Sequence, residues 1–336
     1  MPSHRVTVHH QETSLNRRQL MAVACTALAF CASSAVQAQS DRTVRVLVGF
    51  APGGSADIAA RLISERLSAE LKQNVVVENK PGAGGRIAAE QLKNAAPDGN
   101  TLMLAPIVVP VLAPLVFSKL PYDANVDFAP VAHVANFQFG LSVNAGHPAK
   151  TVNDLVGWFK THPAQANFGS PAPGSLPHFF GVMLARGAGL DLIHVPFNGG
   201  GPLMNALVGN QVSSAIDTLV DQIEMHRGGK TRILATSGAT RSPLLPDVPN
   251  FAEAGLKGVE GSGWFAIYAP AKTPEANVRA INAAVNKALA APEVRERFAK
   301  LGLEPTGGSP ADLAAIMKRD TERWGPVVKA SGFRAD

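Results

Sequence analysis

Cysteine is scarce in this sequence. Its only two cysteines, Cys25 and Cys31, both fall within the first 38 of 336 residues. The rest of the chain therefore cannot carry a disulfide framework or a thiolate metal site. The formal net charge of +5 is small, and no basic stripe or aromatic RNA-binding motif accompanies it. We expect no nucleic-acid partner.

The sequence also lacks a hydrophobic run long enough to span a membrane. Its main apolar run, Leu20 to Phe30, falls well short of the ~20 residues that a membrane-spanning helix needs. Arg17 and Arg18 precede this run, and Val36-Gln37-Ala38 follows it, which is the order of a secretory signal peptide. We predict a leader over 1–38, cleavage after Ala38 and a periplasmic protein. The arginine pair resembles a twin-arginine export signal, and the general secretory route stays open.

Catalytic and nucleotide-binding motifs are absent after residue 38. The sequence has no G-x-S-x-G, S-x-x-K or H-E-x-x-H, no P-loop ending and no G-x-G-x-x-G spacing. Its histidines are scattered without an i, i+4 pair for a metal. We expect no enzyme, no cofactor and no metal site.

Strand and helix patterns alternate along the chain, which indicates an α/β fold with parallel sheets. Apolar strand patterns at 43–50 and 74–78 each lead through a glycine-rich turn into a helical pattern. The alternation starts afresh near residue 141, and the helical patterns after residue 275 have no strands of their own. We predict two α/β lobes joined by two crossing strands. Lobe 1 comprises 39–140 and 264–336, and lobe 2 comprises 141–263.

The glycine-rich turns are the main candidates for a binding site. Each follows a strand and opens a helix, where backbone N–H groups and the helix dipole converge on an anion. Such turns also need glycine for purely conformational reasons. In the first turn, which holds Gly53 and Gly54, Ser55 or Asp57 is the candidate helix cap, and Ser55 is also a candidate hydroxyl donor. Gly84 and Gly85 belong to the second turn.

The second lobe has its own candidates. Ser175 and His178 lie three residues apart on a Pro/Gly/Ser turn, where His178 either contacts a ligand anion or caps backbone. Asp217 and Thr218 close an apolar strand, the position at which ligand crevices of open α/β sheets lie. Thr218 can donate to a carboxylate, whereas Asp217 would repel one unless it caps a helix or binds an amine. Trp264 is a candidate pocket wall.

Eight strings, in order along the chain, resemble the extracytoplasmic solute receptors of tripartite tricarboxylate transporters, the Bug family. Among them are FAPGGSAD at 50–57, VENKPGAGG at 77–85, HVPFNGGGP at 194–202 and LPDVP at 245–249. The resemblance implies a type II periplasmic-binding-protein fold whose lobes close over a small carboxylate, without catalysis. It also implies membrane transporter subunits as partners. The ligand-binding residues carried over by it are Gly53, Gly54, Ser55, Gly84, Gly85, Ser170, Ser175, His178 and Thr218.

Three departures from the family pattern bear on the ligand. Residues 105–110 read APIVVP without a hydroxyl, Asn198 stands where the family often has a lysine or arginine, and 170–174 is rich in proline. Fewer donors and a lost cation predict a less polar ligand, such as a monocarboxylate or a neutral compound. We expect a monomeric receptor. A periplasmic sensor that presents its ligand to a membrane kinase, or a secreted enzyme on the same fold, are the alternatives.

Overall fold

The computed structural model describes residues 43–256 and 258–335. The predicted leader, its arginine pair and the cleavage point at Ala38 lie outside these residues. The first described element, β1, has the sequence TVRVLV, and its last three side chains are all buried. This pattern suits a central strand that is covered on both faces.

The first sheet has six strands in the order β11-β4-β10-β3-β1-β2. Strands β1, β2 and β3 run parallel to one another, and β10 runs antiparallel to both β3 and β4. The strands are β1 (Thr43–Val48), β2 (Asn74–Asn79), β3 (Thr101–Pro106), β4 (Phe128–Phe137), β10 (Gly263–Pro270) and β11 (Leu303–Pro305).

The second sheet has five strands in the order β7-β6-β8-β5-β9. Strand β6 pairs parallel with β7 and β8, whereas β5 pairs antiparallel with β8 and β9. The strands are β5 (Phe139–Asn144), β6 (Asn167–Ser170), β7 (Ile193–Pro196), β8 (Ser214–Thr218) and β9 (Thr231–Thr236).

Ten α-helices of the described residues connect and cover these sheets. They are α1 (Ser55–Leu71), α2 (Arg86–Lys93), α3 (Ala113–Val116), α4 (Val152–Thr161), α5 (Leu176–Ala188), α6 (Gly200–Val208), α7 (Leu219–Arg227), α8 (Glu275–Ala290), α9 (Pro292–Lys300) and α10 (Pro310–Ser331). Both α4 and α10 begin with a capping box, formed by Thr151 with Asp154 and by Ser309 with Asp312. Among the described residues, no helix combines the length and apolar composition needed to cross a bilayer.

The structure confirms the predicted α/β class, with two sheets and connecting helices. The expectation of parallel sheets needs correction, because both sheets are mixed: β10 pairs antiparallel with β3 and β4, and β5 pairs antiparallel with β8 and β9. Gln138 alone separates the end of β4 in the first sheet from the start of β5 in the second. The chain returns through 237–262 to β10, so α8, α9 and α10 come after the first sheet has been rejoined. The lobe boundaries 39–140 with 264–336 and 141–263 stay a prediction.

Two local expectations need correction. The C-terminal helices do have a strand between them, β11, which pairs with the outer edge of β4. It is three residues long, too short to show a period in the sequence. The first helix is capped by Gly54, so neither Ser55 nor Asp57 is its N-cap.

Candidate functional site

A cavity lies where the carboxyl ends of β1, β3, β6 and β8 approach one another. The centre of a water molecule can occupy about 50 Å³ of it, several times the ~10–15 Å³ that one water needs by this measure. Its lining residues are Phe50, Gly54, Ser55, Ala56, Pro106, Ile107, Val108, Phe137, Phe139, Pro171, Ala172, Ser175, Leu176, Pro177, Gly199, Gly200, Asp217, Thr218 and Phe265. Most of this lining is aromatic, aliphatic or proline, and none of these side chains is cationic.

The first glycine turn supplies one wall of the cavity. Gly54 and Ser55 line it, whereas Gly53 and Asp57 do not. Gly53 has φ +82°, a conformation that L side chains rarely adopt. The Asp57 carboxylate accepts the Gly53 N–H at 2.9 Å and the Arg61 Nε–H at 2.9 and 3.0 Å. Asp57 therefore holds the shape of the turn from behind.

Hydrogen bonds keep Asp57 ionised in that position. Burial by itself would raise the pKa of Asp57, but the hydrogen bonds from Arg61 and Gly53 outweigh it and leave the pKa below its usual value. The carboxylate is thus committed to its own loop.

The second glycine turn supports the cavity without lining it. A Cβ on Gly49, just after β1, would lie 2.5 Å from the Cα of Gly85, so the two backbones touch. Gly84 faces the second lobe, since a Cβ there would lie 3.5 Å from that of Ala172. Glycine at these positions allows close packing, and a ligand contact by Gly84 or Gly85 stays a prediction.

Three of the predicted residues surround the turn after β6: Ser170 ends β6, Ser175 caps α5 and His178 lies in the first turn of α5. Of these, only Ser175 lines the cavity. The hydroxyls of Ser170 and Ser175 both donate to the Ala172 carbonyl, at 3.0 and 2.7 Å. Ser170 is also hydrogen-bonded to His194 Nε2 at 2.7 Å. Nδ1 of His178 accepts the Gly174 N–H at 3.1 Å. These contacts fix the turn, and for His178 they match the backbone-capping alternative.

His178 and His194 form a stacked pair behind this turn, with ring centroids 4.0 Å apart. Burial and then the neighbouring His194 lower the pKa of His178 to about 3. Burial lowers the pKa of His194 to about 4. Both rings are therefore neutral at physiological pH and act as packed, hydrogen-bonding groups.

Asp217 and Thr218 end β8 and line the cavity. Thr218 is the N-cap of α7: its hydroxyl accepts the Asp221 N–H and donates to Asp221 Oδ2 at 2.8 Å. Asp217 Oδ1 accepts the Thr218 N–H at 2.8 Å, and its Oδ2 has no hydrogen-bond partner among the described residues. One polar atom of the site is left without a partner.

Burial raises the pKa of both aspartates, Asp217 and Asp221. Burial and the nearby charge of Asp221 raise the pKa of Asp217 well above its usual value. Burial raises the pKa of Asp221 to about 6, against the hydrogen bonds that favour its ionised form. The cavity thus contains a carboxyl group that resists ionisation.

Two contacts join the turns on opposite sides of the cavity. The Ala51 N–H, after β1, donates to the Asn198 carbonyl, after β7, at 3.2 Å. Ser55 lies close enough to Asp221 on α7 that its N–H and hydroxyl lower the pKa of that carboxyl, against the effect of burial. Asn198, which replaces the cation often found in the family, thus contributes a backbone acceptor here.

Sequence reasoning missed three contributors. Asp221 lies on a helix that was not predicted, although its i+3 position after the cap Thr218 is a signal for a helix start. Phe137 and Phe139 flank the crossing at Gln138 and line the cavity.

The expectation for Trp264 was wrong, since this residue does not line the cavity. Its indole N–H donates to Asp320 Oδ2 at 2.7 Å.

Two α/β sheets with a cavity at the carboxyl ends of their strands match solved periplasmic binding proteins, which gives the class of the fold. The residues 59–333 match the model of the tripartite tricarboxylate transporter family receptor, TctC. The chain therefore belongs to this receptor family. A relative from Pseudomonas sp. (strain P51), the UPF0065 protein in the tcbD-tcbE intergenic region, is 33% identical over 318 residues, covering 94% of each chain.

Solved structures agree with this assignment. The periplasmic binding protein BugD is 30% identical with a TM-score of 0.84, over 87% of this chain and 98% of that one. MatC from Rhodopseudomonas palustris, solved with bound malate, is 36% identical with a TM-score of 0.81, over 85% and 99%. An R. palustris protein solved with adipate is 32% identical with a TM-score of 0.84, over 87% and 98%. The resemblance inferred from the sequence strings is confirmed.

Proposed function

We propose that the protein is a periplasmic receptor that captures a small organic solute of low polarity. Its lobes close over the solute, and the loaded receptor delivers it to a tripartite tricarboxylate-type membrane transporter. The observation that carries this proposal is the cavity lining, which combines apolar side chains with a few hydroxyls and contains no Lys, Arg or His among the described residues.

The charge of the lining favours a weakly charged solute. Relatives were solved with malate and with adipate, which supports an organic acid as the ligand class. In this chain, however, a buried dianion would meet no cationic side chain of the lining and would lie beside Asp217. Burying an unpaired charge is costly, so a monocarboxylate or a neutral compound fits better.

Lobe closure is supported by the contacts across the cavity. The Ala51–Asn198 hydrogen bond and the close approach of Ser55 to Asp221 join the turn after β1 to loops that extend from the second sheet. These are the contacts that an opening movement would break. Strands β4 and β5 meet at Gln138, which makes that residue the natural pivot.

The test is a thermal-shift screen of protein purified from the periplasmic fraction of cells that express the full sequence. The protein is unfolded and refolded first, to remove co-purified solute. Butyrate, benzoate and their amides are compared with malate, adipate and citrate. A ligand at a hundredfold excess over its dissociation constant stabilises the folded state by ~2.7 kcal/mol. Stronger stabilisation by citrate than by any monocarboxylate or amide would contradict a weakly charged solute.

The remaining parts of the proposal have their own readouts. N-terminal sequencing of the periplasmic protein tests cleavage after Ala38. Gel filtration tests the monomer. Mass spectrometry of the recovered solute tests the absence of catalysis, since a receptor returns its ligand unchanged. Uptake of the identified solute by a strain lacking the gene tests delivery to a transporter, and unimpaired uptake would favour the sensory alternative.

A further inference from the structure

The Asp217 carboxyl is the one polar group of the cavity lining with a buried side-chain atom that has no partner among the described residues. The residue is 1% exposed, and its Oδ2 makes no hydrogen bond. The other polar side chains of the lining face protein groups: the hydroxyls of Ser175 and Thr218 donate to the Ala172 carbonyl and to Asp221, and Ser55 faces Asp221. Buried polar atoms without partners are rare, and one in a ligand cavity points to the ligand.

The hydrogen bonds around the aspartate pair are unequal. The Asp221 carboxylate accepts the Thr218 hydroxyl at 2.8 Å, and the nearby N–H and hydroxyl of Ser55 also favour its ionised form. The Asp217 carboxyl accepts a single N–H, that of Thr218, on Oδ1. Hydrogen-bond donors stabilise the ionised form of a carboxylate, so the negative charge belongs on Asp221 and the shared proton on Asp217.

The two carboxyl groups face each other closely. A Cβ built on Gly200, at the start of α6, would overlap Asp221 Oδ2 and lie 2.6 Å from Asp217 Oδ2. Two negative charges this close in a buried site repel each other, so Asp217 and Asp221 do not readily ionise together.

Among the described residues packed around Asp217, Asp221 is the charged group that bears on its protonation, as the neighbouring elements show in turn. Strand β5 presents Gly140 opposite Asp217, and α6 presents Gly200. On α5, His178 accepts the Gly174 N–H and stacks on His194. On α1, the Asp57 carboxylate accepts a hydrogen bond from Arg61. On α7, the Gln222 amide donates to the Asp217 main-chain carbonyl. Asp221 is therefore the charged group that, together with burial, keeps Asp217 protonated.

We propose that Asp217 selects the solute: its neutral carboxyl donates a hydrogen bond from Oδ2 to an oxygen acceptor of the solute, either one carboxylate or a carbonyl. The inference rests on the proposed receptor function and names the chemical group that the receptor recognises. An ammonium ion would require Asp217 to ionise beside Asp221. A second carboxylate on the solute would find no cation in the described lining.

The proposal predicts a distinctive pH dependence. Because burial and Asp221 raise the pKa of Asp217, its donor is present below that raised pKa and is lost as the pH rises through it. Affinity for a neutral amide, which itself does not titrate in this range, should fall at high pH. The variant Asp217→Asn keeps a donor of similar shape that cannot ionise, so its affinity should not depend on pH in this way.

The experiment measures dissociation constants by calorimetry for two matched series, butyrate, butyramide and butylamine, and benzoate, benzamide and benzylamine. Wild type, Asp217→Asn and Asp217→Ala are compared between pH 6 and pH 9. Asp127→Asn is the control variant, because Asp127 pairs with Lys93 away from the cavity. We expect Asp217→Ala to weaken the amide or carboxylate about tenfold or more, and Asp217→Asn to retain it within about threefold.

Each other result has a definite meaning. Tighter binding of the amines, or loss of binding in Asp217→Asn, would show that an ionised carboxylate contacts the solute and would overturn the inference. Equal affinity in wild type and Asp217→Ala would overturn it while leaving the receptor function intact. Binding of no organic solute, in this panel or by native mass spectrometry of the periplasmic protein, would overturn both. Thermal unfolding of each variant confirms that it is folded.

Discussion

Ser55 faces the Asp221 carboxylate across the cavity, where the N–H and the hydroxyl of Ser55 favour the ionised form of that carboxylate. Ser55 begins the helix that follows the first strand, and Asp221 lies in the first turn of the helix that follows β8. This residue pair thus brings together the loops of the two sheets.

The first prediction concerns this pair. Ser55→Ala removes a hydroxyl that favours the ionised form of the Asp221 carboxylate, and we expect a loss of about 1.5–3 kcal/mol in the free energy of unfolding, as for a hydrogen bond to a charged group. Ser175→Ala is the matched control, since its hydroxyl donates to a neutral carbonyl at 2.7 Å, for which about 0.5–1.5 kcal/mol is expected. Urea denaturation measures both. An equal or smaller loss for Ser55→Ala would contradict the charged pairing.

The second prediction concerns the pH dependence of stability. The pKa of Asp217 is raised in the folded protein, whereas an unfolded aspartate loses its proton near pH 4. The folded state therefore binds more protons, and this carboxyl lowers stability progressively as the pH rises above about 4. Asp217→Asn removes the effect. We expect its unfolding free energy to exceed that of wild type by an amount that grows from pH 4.5 to pH 8. A difference that stays constant with pH would contradict the raised pKa.

The third prediction concerns the histidine pair. An unfolded histidine takes up a proton near pH 6.5, but the folded protein holds His178 and His194 neutral down to about pH 3 and 4. Stability is therefore lost as the pH falls below 6.5, because the unfolded state binds more protons. His194→Gln keeps a hydrogen-bonding group beside Ser170 and cannot titrate. We expect it to lose less stability than wild type between pH 6.5 and pH 4.5. Parallel curves would refute the assignment.

The fourth prediction concerns glycine at the start of α6. A Cβ on Gly200 would overlap Asp221 Oδ2 and press on Asp217, so Gly200→Ala should destabilise the protein by about 1–3 kcal/mol and weaken solute binding. Gly187→Ala, on α5, is the control, because a Cβ at Gly187 would meet no atom within 4 Å. Alanine at that helical position should stabilise the folded protein by about 0.5–1 kcal/mol. Thermal unfolding distinguishes the two signs. Equal effects would mean that crowding at Gly200 is relieved elsewhere.

Much of the site followed from local sequence signals. Glycine-containing turns after apolar strands placed Gly54, Ser55 and Ser175 at the carboxyl ends of strands, and the end of an apolar strand placed Asp217 and Thr218 there. All five line the cavity. This works because the carboxyl ends of parallel strands share one edge of a sheet, so that the turns that follow them meet.

Other parts depend on tertiary contacts that no local pattern contains. The role of Asp221 requires a helix start next to Asp217 and a serine from the other sheet. Residues 108–116 are helical despite Pro110 and Pro114. Proline lacks an N–H, which is tolerated in the first turn of a helix, where Pro114 lies, and in a wider π-turn, where Pro110 lies. The apolar burial of this segment then decides its structure.

The position of Phe137 and Phe139 makes their two rings a natural spectroscopic probe of the angle between the sheets. Their ring centroids lie 5.3 Å apart at an interplanar angle of 76°, yet one ring ends a strand of the first sheet and the other begins a strand of the second. Any rotation about Gln138 changes the magnetic shielding that each ring exerts on the other. The proton resonances of these two side chains should therefore report the angle between the sheets without an attached label.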